Sequence, residues 1–245
     1  MLFLAGCERA REQVEAADYD AYWLWAGVKP QPVLDSAKTI YILEGEVRGS
    51  DARLVKLRAA TPRVDHADIW IVYRVETLEW DETIVPQILA DLKRWKDSEN
   101  RVSGIQIDFD AATKGLAQYA EFLNRLNARL PGDCKLSVTG LLDWSSNGDS
   151  ASLNSLGGVV DEVVLQTYQG RHSISGYQEY LGGLDRLRIP FRIGLVQNGE
   201  WQEPRDLASN PAFKGYVVFL LNPPTKNGPG NPGPHFVDKH RANRH

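Results

Sequence analysis

The sequence has few of the residues that build metal and redox sites. Its 245 residues include two cysteines, Cys7 and Cys134, and five histidines. The cysteines are far apart and form no CxxC pair, which excludes a zinc finger, a thiol-redox motif and a disulfide framework. No metal-ligand spacing links the histidines, which are His66, His172, His235, His240 and His245. We therefore predict neither a metal ion nor another cofactor.

The sequence also lacks three features that would indicate a nucleic acid, membrane-spanning or nucleotide-binding protein. Its net charge is −4, and its only basic stretch, residues 239–245, is interpreted as a solvated tail, so no nucleic acid partner is predicted. No segment has the roughly twenty consecutive apolar residues of a membrane-spanning helix. No glycine-rich loop follows the first predicted strand, which argues against a nucleotide site.

The amino terminus carries a short processing motif. Leu4, Ala5, Gly6 and Cys7 resemble the lipobox of bacterial lipoproteins, in which the cysteine receives lipid. Only three residues precede the motif, so either the true start lies upstream or the match is accidental. On the first interpretation, residues 1–20 are a signal-peptide remnant and a tether. The protein would then be periplasmic or in the cell envelope, held to the membrane only by a lipid anchor at Cys7.

Short apolar runs rich in Val, Ile, Tyr and Trp recur along the chain and alternate with helical patterns. We predict eight strands, over residues 21–26, 39–44, 68–75, 104–109, 135–142, 162–168, 191–196 and 215–221. Clear helical spacing covers 84–95 and 116–130, and weaker helices are predicted over 53–60, 153–160, 177–187 and 203–213. Eight alternations favour a single α/β domain, a (β/α)8 TIM-type barrel over residues 21–222. Residues 223–245 then form a tail rich in proline and glycine and basic at its end.

The fourth predicted strand has the most informative pattern. Side chains alternate along a strand, so Gln106, Asp108 and Asp110 share one face, opposite Ile105 and Phe109. Carboxylates at the end of a buried strand are costly unless they are solvated, paired or used in catalysis. A structural alternative is that Asp110 caps the next helix and Asp108 pairs with an arginine.

Catalytic groups of such barrels lie at the carboxyl ends of the strands. Besides Asp108 and Asp110, the predicted strand ends carry mainly aromatic, amide and charged residues: Trp23, Trp25, Glu44, Glu46, Arg74, Gln106, Asp143, Trp144, Gln166, Tyr168, Gln197 and Asn222. Amides and carboxylates bind hydroxyl groups and aromatic rings stack on sugar rings, so this set favours a neutral, hydroxyl-rich ligand such as a poly- or oligosaccharide over a phosphorylated one. Individually, the glutamates, Arg74 and the two first tryptophans could equally be ion-paired or core residues.

Two motifs resemble family 18 glycoside hydrolases, the chitinase-like barrels. Residues 103–110, Ser-Gly-Ile-Gln-Ile-Asp-Phe-Asp, align with the family pattern Asp-Gly-x-Asp-x-Asp-x-Glu, and residues 165–168, Leu-Gln-Thr-Tyr, resemble its sixth-strand Met-x-Tyr. The resemblance implies that Asp110 is the general acid, that Asp108 orients the substrate's N-acetyl group, and that Tyr168 contacts that group. The chain also looks like an uncharacterised bacterial family of predicted lipoproteins with such a barrel, domain of unknown function 3142.

Three departures from the family pattern leave the function open. Ser103 and Gln106 replace aspartates, and Asp110 is one methylene shorter than the family's glutamate. A change of about 1 Å in the position of a catalytic group can cost about a hundredfold in rate. We therefore weigh a glycoside hydrolase or lyase acting on an envelope or exported polysaccharide, a catalytically inactive glycan-binding barrel, and a structural or partner-binding lipoprotein of the envelope.

Overall fold

Eight parallel strands close into a barrel in the computed structural model, which describes residues 12–49, 52–110, 115–142, 144 and 156–223. We label them in chain order as β1 (Ala21–Leu24), β2 (Thr39–Val47), β3 (Asp68–Val75), β4 (Arg101–Asp108), β5 (Lys135–Leu141), β6 (Glu162–Gln166), β7 (Phe191–Val196) and β8 (Phe213–Phe219). Each strand pairs with the next, and β8 pairs with β1 to close the sheet. The predicted barrel is confirmed, and β3 and β7 have the predicted bounds.

Two long helices cover one side of the barrel. Helix α1 (Ile84–Asp97) connects β3 to β4, and α2 (Leu116–Asn127) connects β4 to β5. Helix α3 (Tyr177–Tyr180) is a single turn that continues into a 3-10 helix, Leu181–Arg186. The other described connections contain 3-10 helices at Pro32–Ser36, Ala16–Asp18, Leu156–Gly158 and Leu207–Ser209 and short strands at Glu12–Gln13, Leu54–Lys56, Tyr168–Gln169, His172–Ser173 and Glu200–Trp201.

The connection after β2 differs from the sequence prediction. A helix over 53–60 is wrong, because Leu54–Lys56 instead forms a strand antiparallel to the end of β2. The two strands pack closely at Gly45 of β2, because a Cβ there would lie 2.8 Å from the Leu54 side chain and 3.0 Å from the Val55 carbonyl oxygen. The helix predicted over 203–213 is likewise reduced to the 3-10 turn at Leu207–Ser209.

The barrel sheet is buried on both faces, which explains why its strands are apolar throughout. Inside the barrel, Trp23, Tyr41 and Val72 belong to one apolar cluster. Outside it, residues such as Ile88 of α1 and Ile71 of β3 belong to a second cluster. Alternate residues of one strand thus enter different cores, as the two-residue period of a strand requires.

The chain before β1 packs on the outside of the barrel. Glu12–Gln13 pairs antiparallel with Glu200–Trp201, which follows β7. Val14 is buried, and its backbone bonds to Asn198 and Gly199. The described part of the predicted tether therefore covers a flank of the sheet where the β7–β8 connection has no α-helix.

The lipobox and Cys7, and the tail from residue 224 onward, lie outside the described residues. Within the described part of the chain, no helix has the length and apolar character needed to cross a bilayer.

Candidate active site

The carboxyl end of β4 presents two acidic side chains. Asp108 ends the strand and is partly buried, and Asp110 is exposed two residues later. The strand register places Asp108 beside Arg74 of β3, and Arg74 beside Glu46 of β2. Arg74 Nη1 lies 4.0 Å from Glu46 Oε1, and Thr139 Oγ1 donates a 2.8 Å hydrogen bond to Asp108 Oδ1. Three adjacent strands therefore bring charges of alternating sign to one edge of the barrel.

The Asp108 carboxyl has its pKa raised to about 6. Burial is the main cause, because it removes water from the charged form, and the negative charge of Asp110 adds to the effect. The hydrogen bond from Thr139 and the positive charge of Arg74 favour the charged form and limit the increase. Asp108 can therefore gain or lose a proton in slightly acidic solution.

Aromatic rings run from the barrel mouth into its interior. Trp25, at the mouth, is partly exposed, whereas the other rings are buried. Successive ring centroids lie between 5.4 and 6.3 Å apart. We call this series the aromatic chain, which consists in order of Trp25, Phe219, Tyr168, Trp23, Tyr41 and Trp70.

Tyr168 connects the aromatic chain to the acidic pair. Its ring is 5% exposed and stacks on Phe219. Burial raises the pKa of the Tyr168 hydroxyl well above its usual value, and the charges of Asp108 and Asp110 raise it further. The hydroxyl therefore remains protonated beside the two carboxyl groups. The structure thus brings together the three residues that the sequence predicts as catalytic.

Gln106 holds the aromatic chain from inside the barrel. Its buried amide accepts a 2.7 Å hydrogen bond from Trp23 Nε1 and donates one of 2.9 Å to Ser137 Oγ. Ser137 Oγ donates at 3.3 Å to Glu162, which also accepts a 2.8 Å bond from Arg192 Nε. Both amide atoms of Gln106 are therefore used to fix neighbouring side chains, and Trp23 is held at the base of the site.

Gln166 lies on the inner side of the same group. It ends β6, is 6% exposed and is in register with Gly194 of β7. A Cβ at Gly194 would lie 2.7 Å from the Trp23 ring, so glycine leaves the room that this ring occupies. Residues in register point to the same side of a sheet, so Gln166 faces the barrel interior beside Trp23.

Gln197 and Asn222 position the loop that follows β1. The amides of Gln197 and Gln31 exchange hydrogen bonds of 2.9 and 3.0 Å. Asn222 accepts a bond from the Lys29 backbone N–H and donates one to the Gly27 carbonyl oxygen, at 2.9 and 2.8 Å. These two amides border the mouth, and each is bonded to the β1 loop.

Two of the predicted site residues are not brought into this group. Glu44 is fully buried on the outer side of the sheet, where it accepts hydrogen bonds from Arg94 and Trp95 of α1. Trp144 is fully buried in the outer apolar cluster beside Tyr119. Asp143 lies outside the described residues.

The sequence did not predict Arg58, a cation at the mouth. Arg58 donates hydrogen bonds to the carbonyl oxygens of Leu43 and Leu24, at 2.8 and 3.2 Å, close to the carboxyl ends of β2 and β1. It lies between strands rather than at a strand end, within the segment predicted as a helix. One sequence pattern could have indicated a hairpin there. Leu54 and Val55 are apolar and closely follow a predicted strand.

Comparison with known proteins places the chain among barrels of this kind. Residues 71–182 match the family described as Domain of unknown function (DUF3142). The match covers slightly less than half of the chain and includes β4 to β6, with Asp108, Asp110 and Tyr168. No curated protein matches the sequence.

Solved structures with the same fold include two enzymes and an inhibitor. The spore cortex-lytic enzyme SleL from Bacillus cereus is 20% identical, with a TM-score of 0.52 over 72% of this chain and 49% of SleL. The xylanase and alpha-amylase inhibitor protein XAIP-II from Scadoxus multiflorus is 12% identical, with a TM-score of 0.51 over 81% of this chain and 91% of the inhibitor. The CBM22-1-GH10 modules of endo-1,4-beta-D-xylanase 10B from Clostridium thermocellum are 11% identical, with a TM-score of 0.50 over 86% and 61% of the two chains.

The chain thus spans about half the length of SleL. Identities this low establish the fold and leave the chemistry to be argued from the site. The protein shares the TIM-barrel fold of these proteins.

Proposed function

We propose that the barrel is a glycoside hydrolase that cleaves an envelope or exported polysaccharide, with Asp110 as general acid and Asp108 as its partner. The observation that carries the proposal is the acidic pair at the end of β4, beside the buried Tyr168 hydroxyl. Catalytic groups of TIM barrels occupy this position. The pKa of Asp108, raised to about 6, supports a role in proton transfer or in sharing a proton with Asp110.

The proposed reaction follows the resemblance to family 18. Asp110 donates its proton to the glycosidic oxygen as the bond from that oxygen to the anomeric carbon breaks. The carbonyl oxygen of the substrate's N-acetyl group attacks the anomeric carbon, while Asp108 accepts a hydrogen bond from the N–H and Tyr168 contacts the same group. Water then attacks the anomeric carbon, the bond from that carbon to the N-acetyl oxygen breaks, and the proton of the water returns to Asp110. This is the substrate-assisted form of glycoside hydrolysis.

The aromatic chain supports a sugar as the substrate. Trp25 presents a partly exposed ring at the mouth, and rings of this kind stack on the apolar faces of sugars. Sugar ligands are known for other barrels of this fold, since structures of the xylanase and of the inhibitor XAIP-I are complexes with xylohexaose and trehalose.

The test is mass spectrometry of N-acetylated and plain oligosaccharides after incubation with the parent protein, Asp110→Asn and Asp133→Asn. Asp133 is an exposed acid that pairs with Lys96, so its variant is a matched control. We expect cleavage by the parent and the control, and a loss of about a hundredfold or more in Asp110→Asn, the contribution typical of a general acid. Full activity in Asp110→Asn would contradict the assignment of the acid.

A second candidate is a glycan-binding barrel without activity. The observation that favours it is Gln106, whose amide is fully engaged with Trp23 and Ser137 where the family 18 pattern has an aspartate. The inhibitor fold among the similar structures shows that such barrels also serve as inhibitor proteins. Saturable binding of an oligosaccharide that remains intact with the parent protein would favour this candidate.

A further inference from the structure

Arg58 lies over the carboxyl ends of β1 and β2. It follows the short strand Leu54–Lys56, and its Nε and Nη2 donate to the carbonyl oxygens of Leu43 and Leu24. The preceding residue, Leu57, packs against the apolar cluster inside the barrel. The hairpin that replaces a helix after β2 therefore brings a guanidinium group to the barrel mouth.

This guanidinium is held by neutral groups alone among the described residues, where no carboxylate forms an ion pair with it. Burial lowers the pKa of Arg58, and the more distant charge of Glu44 opposes that effect. Partial burial of a cation is costly unless an anion compensates it. Arginine has five N–H groups, and the two bonds to Leu43 and Leu24 leave three on the edge formed by Nη1 and Nη2. That edge matches the two oxygens of a carboxylate.

A second guanidinium lies near the same loop. Arg171 is in the turn between Tyr168–Gln169 and His172–Ser173, and its Nη2 donates at 3.1 Å to the carbonyl oxygen of Asn222. The side chain of Asn222 bonds to Gly27 and Lys29 of the β1 loop. Arg171 also forms no ion pair within the described part of the chain. Arg58, through Leu24, and Arg171, through Asn222, therefore both contact residues at the loop that borders the mouth.

Arginines elsewhere in the barrel have a different environment. Arg94 on the outer face, Arg125 on α2 and Arg192 inside the barrel each bind a carboxylate, at distances of 2.5, 2.7 and 2.8 Å. The two arginines at the mouth instead donate to backbone carbonyl oxygens, which fix their position without neutralising their charge. This arrangement leaves positive charge available to a ligand.

We propose that Arg58 and Arg171 form a subsite for the carboxylate of an acidic sugar, so that the substrate is a uronate-containing polysaccharide. The subsite lies at the ends of β8, β1 and β2, and the acidic pair lies at the end of β4, with Tyr168, Phe219 and Trp25 available to stack on the rings. This inference rests on the proposed function, because it names the substrate class of the same site.

The experiment compares one ligand with and without its charge. Binding of an oligosaccharide of alternating N-acetylated and uronic acid residues, of its methyl ester and of a neutral N-acetylated oligosaccharide is measured by titration calorimetry with the parent protein, Arg58→Gln, Arg171→Gln and Arg63→Gln. Arg63 lies on the same connection as Arg58. It is exposed and pairs with Glu99, so it serves as the control. The unfolding free energy of each variant is also measured. If Arg58→Gln destabilises the fold, Arg171→Gln still tests the proposal.

We expect the parent and Arg63→Gln to bind the acid about tenfold or more tightly than the ester, and this preference to fall to near unity in Arg58→Gln and Arg171→Gln. Equal binding of acid, ester and neutral chains would overturn the acidic-sugar proposal and leave the proposed function standing. Binding of none of the three ligands by the parent would count against both. A preference for the acid that persists in both variants would overturn the assignment of the two arginines.

Discussion

Two groups of carboxylates, one on each side of the barrel sheet, have opposite environments. On the outer side of the barrel, Glu44 and Asp91 are fully buried, and Arg94 contacts both carboxylates at 2.5 Å while Lys56 contacts Asp91 at 2.6 Å. We call this the outer cluster. On the inner side, Asp108 has a hydroxyl donor and a second carboxylate nearby, with the Arg74 charge on the next strand. Ion pairs thus neutralise the carboxylates of the outer cluster, whereas burial and a neighbouring carboxylate raise the pKa of Asp108, a shift that is typical of functional sites.

A β-bulge at the end of β2 separates the two groups. The register of β2 against β3 shifts between Leu43 and Gly45, so Glu44 is an extra residue that faces α1. Beyond the bulge, Glu46 is in register with Arg74. Bulges are common next to functional sites because they redirect a side chain.

The largest expected loss of stability comes from removing the cation of the outer cluster. Arg94→Leu would leave Glu44 and Asp91 without their shared cation and cost about 3 kcal/mol of unfolding free energy, as loss of one partner of a buried ion pair does. Arg125→Leu removes an exposed arginine from an i,i+4 pair with Glu121 and should cost at most about 0.5 kcal/mol. Chemical denaturation of both variants measures the difference. Equal losses would contradict the contrast between the buried and exposed pairs.

Asp108→Asn should increase the free energy of unfolding rather than lower it. A carboxyl whose pKa is higher in the folded state than in the unfolded state binds a proton on folding, so stability falls as the pH rises from about 4 to about 6. Asparagine removes that penalty and keeps an acceptor for Thr139. We expect the variant to be more stable than the parent by up to about 3 kcal/mol at pH 8, and the gain to disappear below pH 4.

The measurement is denaturation across this pH range, with Asp97→Asn as the control. Asp97 is an exposed acid in an i,i+4 pair with Lys93, and its variant should stay within about 0.5 kcal/mol of the parent. A loss of stability in Asp108→Asn at pH 8 would show that Arg74 outweighs burial at this carboxyl.

A smaller change in stability is expected at Gln106, which lies beneath the acidic pair. Gln106→Leu would remove the partners of Trp23 Nε1 and of Ser137 Oγ, at a cost of about 1 to 2 kcal/mol. The exposed Gln118 of α2 provides a control variant, Gln118→Leu, that should be close to neutral. Thermal unfolding of the two proteins tests whether the amide at 106 is structural, and a neutral Gln106→Leu would argue against it.

The smallest effect is expected at the rim. Asn222→Ala would remove two hydrogen bonds to the β1 loop at a partly exposed position, and the unfolding free energy should change by less than about 1 kcal/mol. The local consequence is faster hydrogen exchange of the Lys29 amide, which loses its acceptor. Unchanged exchange at Lys29 would show that other contacts hold the loop.

The sequence predicts the barrel and the acidic pair because both depend on local periodicity. Continuous apolar runs define the strands, and alternation along β4 is enough to place Gln106 and Asp108 on one face. Tyr168 and Trp23 could be associated with them because parallel strands end at the same edge of the sheet.

The remaining features depend on contacts between distant segments. The position of Glu44 follows from its partners in α1, and Trp144 is buried by Tyr119 of α2. Arg58 reaches the mouth because Leu54–Lys56 pairs with β2, and pairing of this kind has only a weak local pattern. The sequence predicts a mouth suited to neutral ligands. Contacts between distant segments add the guanidinium groups of Arg58 and Arg171 to it.

The aromatic chain gives the barrel an internal optical reporter. Rings with centroids about 5 to 6 Å apart couple their electronic transitions, so the near-ultraviolet circular dichroism of Trp25 is shared with Phe219, Tyr168 and the rings beyond them. Trp25 is the member of this series at the mouth. A sugar that stacks on it would alter the spectrum of the coupled rings, and occupancy of the mouth could be followed in the unlabelled protein.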